Sequence, residues 1–229
     1  FVLAQYNPAG ELMDEPGINR VTVEEVTEGT PPDKYHRFLS QNNAIWPHEK
    51  YLNIWLMSET KYPKFWNSIT KLCVPKYRLG SETLPGLSLP PVPSTWVPKV
   101  EQIGILFRMS TFQYFQRSID ATAERELVTC IGNYLGLLDT WKINNSNVND
   151  QCNDTFAYGI VNNNGSLGTN SSWSKEVGSY RFLSENIMDD PTGTHRSVSK
   201  DQALRMYWVL KNCAGRSMWQ SDFALTGKE

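Results

Sequence analysis

The run ELVTCIGNYLGLLDTW, Glu126–Trp141, constrains the fold more than any other stretch. Leu127, Ile131, Tyr134, Leu135 and Leu138 recur at intervals of three and four, which lines one face of a helix with apolar side chains. Such a face must be covered by another part of the chain. Upstream, Thr122 stands where an N-cap accepts the first free amides, and Glu124 and Glu126 fall in the first turn, where the helix dipole favours negative charge. Gly136 closes the pattern, because a left-handed turn there carries no Cβ penalty.

The other regular elements follow from the same kind of reading. YLNIWLM, Tyr51–Met57, is a nearly continuous apolar run of strand length and is expected as a central strand covered on both faces. EQIGILFRMSTF, Glu101–Phe112, reads as a second strand. Its Gly104 admits another backbone or a ligand at close range. A helix up to Asn42 is expected to stop before Pro47. Between residues 62 and 98 lie seven prolines, which rule out regular structure and predict a long irregular excursion of the sort that shapes a surface site. The Asn-, Ser- and Gly-rich stretch 144–172 reads as loop. Near the C-terminus, Ser199 and Gln202 form an S-x-x-Q capping box. Ala203, Met206, Tyr207 and Leu210 then line one face of a helix to about Asn212. Residues 1–34 are rich in Pro, Gly and acidic side chains around RVTVEEV, which predicts a partly ordered lead-in holding one short edge strand.

A chain of 229 residues with 40% hydrophobic content is long enough for one domain with a sizeable core. Its 22 basic and 24 acidic side chains leave a net charge of −2, which excludes the electrostatic footprint of a nucleic-acid binder. The longest apolar runs, IGILF and YLGLL, fall short of the roughly 20 residues that cross a bilayer. FVLAQYNPAG does not read as a signal peptide, and a targeting segment is expected to be absent from this chain. Cys73, Cys130, Cys152 and Cys213 show no CxxC spacing, so a zinc ribbon is not indicated, and two disulfides, one or none remain open. Eight Trp and ten Tyr among Asn-Gly-Ser loops point to an extracytoplasmic binding or hydrolytic protein. N-x-S/T triplets at Asn144, Asn153, Asn164 and Asn170 are glycan acceptors only in a eukaryotic secretory route.

The order YLNIW, IGILF, LVTCIGNYLGLLDTW, NDQCNDT, ENIMDD and SKDQALRM resembles the pappalysin-like branch of the metzincin zinc proteases, and a bacterial lipoprotein branch among them. The resemblance spans about Tyr51 to Lys211. Family members carry HExxHxxGxxH on the helix, then a DT loop, an N-x-M-D turn beneath the metal and a Q-x-x-R-M helix. On this chain the ligand positions fall at Thr129, Asn133 and Asp139, the catalytic base at Cys130 and the glycine at Gly136. The methionine of the turn falls at Met188, and Gln202, Arg205 and Met206 match the closing helix. The resemblance implies an α/β, metzincin-like (zincin) fold: a twisted mixed sheet, an active-site-type helix and a loop-rich C-terminal lobe. The division is then a lead-in 1–34, an upper lobe 35–139 and a lower lobe 140–229.

The chemistry of the matched positions departs from the family's. Residues four apart on a helix share a face, so imidazoles at 129 and 133 would grip one ion. A hydroxyl at Thr129 and an amide at Asn133 are poor zinc donors, whereas Asp139 is a workable third ligand. Cys130 lacks the reach of a glutamate and, without a neighbouring cation, is not held as a thiolate. No catalytic residue and no zinc are therefore expected: the leading reading is a pseudoenzyme that is secreted, periplasmic or surface-anchored. Its former substrate cleft would bind a polypeptide along an edge strand at Gly104, Ile105 and Leu106. Two alternatives stand: a working hydrolase with a non-standard site, and a structural module whose cleft is filled by its own Pro-rich loop around Trp96. His36, His48 and His195 are read as exposed and solvated, and Met188 as a core residue. Asp150, Asp154, Asp189 and Asp190 are read first as solvated turn residues, with calcium at Asp150 and Asp154 as the functional alternative that the resemblance implies.

Overall fold

The period-two alternation of a strand decides which side chains of Tyr51–Met57 are covered. In the computed structural model, which describes residues 2–21, 39–57, 68–70, 103–108, 122–143, 149–160, 174–177, 180–189, 195–212 and 216–228, Tyr51, Asn53 and Trp55 are buried. Ile54 and Leu56 are 37% and 41% exposed, so the strand is covered on one face and the expectation of two covered faces is corrected. The buried face is held by polar anchors as well as packing. Trp55 Nε1 donates to the Ala44 carbonyl at 2.9 Å, and the Asn53 amide closes a two-way link with the Trp46 backbone at 3.0 and 2.8 Å.

Strand β1 (Ile54–Met57) pairs in parallel with β3 (Ile105–Arg108), Trp55 opposite Leu106. Strand β2 (Ser68–Thr70) pairs antiparallel with the other side of β3, Ile69 opposite Leu106. The order is β1-β3-β2, so the middle strand of the three is Ile105–Arg108 and not Tyr51–Met57. Ile105 and Leu106 are thus hydrogen-bonded on both sides, and the expected peptide-accepting edge at Gly104, Ile105 and Leu106 is not one. A Cβ on Gly104 would lie 2.6 Å from the Trp55 ring and 2.8 Å from the Asn53 carbonyl, so the close approach foreseen there is by the chain's own β1 segment.

Helix α1 (Thr122–Tyr134) packs beneath this sheet. Cys130, Tyr134 and Leu135 join Ile103 and Ile105 in one buried cluster, with Leu127 and Ile131 at its margin. Met206, Leu210 and Met218 close it from the C-terminal side. Helix α2 (Lys200–Asn212) begins with the expected capping box: the Gln202 amide N–H donates to Ser199 Oγ at 3.2 Å and the Ser199 amide to Gln202 Oε1 at 3.0 Å. Two smaller sheets complete the lower part, β4 (Trp141–Ile143) parallel to β5 (Tyr158–Ile160) and β6 (Ser174–Val177) antiparallel to β7 (Tyr180–Leu183). Phe182 joins them, its ring 4.6 Å from Phe156 and 5.5 Å from Tyr158.

The lead-in is tied to the other end of the chain. The Gln5 and Tyr6 amides donate to the Ala224 carbonyl in α3 (Phe223–Thr226), Tyr51 Oη donates to the Tyr6 carbonyl at 2.9 Å, and Lys50 Nζ lies 3.7 Å over the Phe223 ring. β2 corrects the expectation that 62–98 hold no regular structure, and β5 corrects that of loop throughout 144–172, because strand pairing there is made with distant segments. His36, Trp96, the rest of the excursion and RVTVEEV beyond Val21 fall outside the described residues. No helix among the described residues is long and apolar enough to cross a membrane.

Candidate functional site

The site is built where α1 meets the turn Asn186–Asp189. Helical spacing puts Thr129 and Asn133 on one side of α1, and each side chain donates one hydrogen bond to a backbone carbonyl: Thr129 Oγ1 to Ile187 at 2.8 Å, Asn133 Nδ2 to Leu137 at 3.0 Å. Met188 is fully buried directly beneath the helix, where a Cβ on Gly132 would come within 2.5 Å of its sulfur. The turn is clasped from three directions. Thr140 donates its amide and its hydroxyl to the Met188 carbonyl at 3.1 Å, and the hydroxyl also reaches Asp189 Oδ1 at 2.8 Å. The Met188 amide donates to Asn186 Oδ1 at 2.9 Å. The Asn186 and Gln202 side-chain amides exchange hydrogen bonds at 2.7 and 3.1 Å, which fixes the turn to the first turn of α2.

Asp139 stands at the surface beyond the Gly136 turn. Gly136 has φ +89°, and a Cβ there would lie 2.5 Å from Val209 Cγ2, so the chain reversal after α1 rests directly on α2. Cys130, the residue that the sequence resemblance puts in the place of a base, is only 4% exposed and faces the Ile103–Ile105 core rather than solvent. A neutral hydroxyl and a neutral amide, weak donors to a transition metal, with a thiol turned into the core, do not fit a transition-metal centre with a water-activating base.

Two buried cations frame the C-terminal end of α1, where the helix dipole is negative. Arg205 Nε donates to the Gly136 carbonyl and its Nη1 to Gln151 Oε1 at 2.9 Å. Arg216, fully buried, donates to the Tyr134 carbonyl at 3.2 Å with its guanidinium 4.2 Å above the Tyr134 ring. In the sequence, the Q-x-x-R-M match marks Arg205. Nothing local marks Arg216, a single basic residue before SMWQ, as an interior group.

The calcium candidates are engaged by protein donors. Asp154 accepts the Ser199 hydroxyl at 2.6 Å and the Asp201 amide at 2.9 Å, so it caps α2. Burial pushes its carboxyl upward, but the Ser199 hydroxyl and the amides of Asp201, Asp154 and Lys200 together hold it below the ordinary value. Asp150 is buried and accepts the Thr155 hydroxyl at 2.5 Å; burial raises its carboxyl, against the lowering effect of the Thr155 and Cys152 hydrogen bonds and of Arg205. The Cys152 thiol is pushed up to about 12, by burial first and then by the Asp150 charge. Cys130 and Cys152 are thiols, not half-cystines; Cys73 and Cys213 lie outside the described residues.

The histidine expectation is corrected for two of three. His48 and His195 are each 8% exposed, and His195 Nε2 lies 3.1 Å from the Asp189 carbonyl with φ +49°. Asp189 is likewise buried and bonded to Thr140 rather than solvated, while Asp190 lies outside the described residues. Among the described residues, no group of three or more His, Cys, Asp or Glu is arranged to hold a metal ion.

No family model and no curated protein matches the chain. Among solved structures, mature mirolysin of Tannerella forsythia in complex with a cleaved peptide is similar, with a TM-score of 0.61 and 18% identity over 97% of this chain and 75% of that one. That likeness shows the fold: metalloprotease-like, of the metzincin-like α/β type.

Proposed function

We propose that the protein is a pappalysin-like metalloprotease relative without zinc-peptidase activity, whose former substrate cleft binds a polypeptide outside the cytoplasm. One observation carries the loss of chemistry: Cys130, at the position of the base, is buried against Ile103 and Ile105, between ligand positions that hold only the neutral side chains of Thr129 and Asn133. Polypeptide binding is supported by the fold it shares with mirolysin, a protein seen with a cleaved peptide. With β3 paired on both sides, the docking strand in this reading moves to an edge of that sheet, which among the described strands is β1, Ile54–Met57, or β2, Ser68–Thr70. The extracytoplasmic placement rests on composition, and calcium would share the Asp150 and Asp154 carboxylates with the Thr155 and Ser199 hydroxyls.

The test combines metal analysis of the purified protein, a peptide-library cleavage assay and peptide binding by fluorescence anisotropy. The expected result is sub-stoichiometric zinc, no cleavage and saturable binding of extended peptides. Stoichiometric zinc with chelator-sensitive cleavage would overturn the loss of activity, and absence of binding across the library would overturn the cleft reading. Thr129→His with Asn133→His is the reconstruction to attempt. Cys130→Glu is left out because it would bury a carboxylate beside Ile103 and Ile105.

A further inference from the structure

The geometry points to a metal-free clamp: Thr129, at a ligand position of the zinc site, positions the Asn186–Asp189 turn by bonding the Ile187 carbonyl. Four observations converge on it. The 2.8 Å bond crosses 58 residues of sequence, so it joins two separate parts of the chain rather than completing a local turn. Gly132, one helical turn along, lets Met188 seat against the helix with no side chain between. Thr140 takes the next carbonyl, Met188, twice over, and Asn186 and Gln202 carry the link on to α2. Asn133 performs the matching task on its own side, holding the Leu137 carbonyl and with it the reversal at Gly136. Consecutive carbonyls of the turn are thereby satisfied by uncharged side chains, the arrangement that keeps partly buried backbone groups paired without an ion.

This inference rests on the metal-free reading of the site but not on polypeptide binding. It is tested by amide hydrogen exchange at Ile187–Asp189 in the full chain, for wild type, Thr129→Val and Thr129→Ser, each with EDTA and with added zinc. Valine keeps the branched shape and removes the donor, so exchange there should rise roughly 5- to 10-fold, the equivalent of one hydrogen bond. Serine restores the hydroxyl and should restore wild-type protection. EDTA and zinc should leave the wild type unchanged. Wild-type exchange in the valine variant, or serine behaving as valine, overturns the clamp alone. EDTA-driven loss of protection in the wild type overturns the clamp and the metal-free reading together. Should the valine variant fail to fold, the serine and EDTA arms on folded protein still decide.

Discussion

Replacing Gly136 by alanine tests the junction on which the site depends, because two separable penalties meet at one atom. The backbone there has φ +89°, so any Cβ carries the left-handed cost of about 1–2 kcal/mol. The new Cβ would also lie 2.5 Å from Val209 Cγ2. Val209 is fully buried and cannot swing aside, so the overlap adds about 1–3 kcal/mol of overpacking. Gly136→Ala should thus destabilise by about 2–5 kcal/mol. Val209→Ala alone loses two buried methyls, about 2 kcal/mol. In the double variant the overlap has nothing to meet, so the Gly136 penalty should shrink toward its conformational part, with a coupling of about 1–3 kcal/mol. Urea unfolding of the four proteins, with m-values compared to confirm a common two-state transition, measures all of this. A Gly136→Ala loss below about 1 kcal/mol would refute the backbone argument, and strict additivity in the double variant would refute the steric one.

Asp154→Ala should cost about 1 kcal/mol at pH 7 by uncapping α2. The folded-state carboxyl is held below its ordinary value, so its contribution is present above about pH 4 and lost as pH falls through the depressed folded value. The gap between wild type and variant should close in acid; a gap that widened there, or a calcium-dependent gap at pH 7, would contradict the capping role. Cys152, pushed up to about 12, should resist alkylation at pH 8 in the folded protein and react at once in denaturant. Mapping of modified peptides separates it from the other three cysteines, and rapid native labelling of Cys152 would contradict the raised thiol.

Both long helices are legible in the sequence for a common reason: spacing, caps and dipole charges are properties of neighbouring residues. Leu127, Ile131 and Tyr134 announce α1, and Ser199 with Gln202 announces the first residue of α2 to within one position. The hydroxyl, thiol and amide at 129, 130 and 133 are likewise local facts, and they make this helix a poor source of metal donors. Strand order was not accessible in that way. Ile105 and Leu106 look like an edge or a centre according to what pairs with them, and their partners lie around Ile54 and Ser68, across a Pro-rich stretch whose path local rules do not describe. The same holds for burial of polar groups. Long-range packing puts Arg216 over Tyr134, turns His195 toward the Asp189 carbonyl and brings Asp154 to the start of α2. A polar side chain is interior or exposed according to whether distant backbone groups converge to satisfy it, and that convergence exists only once the chain has folded.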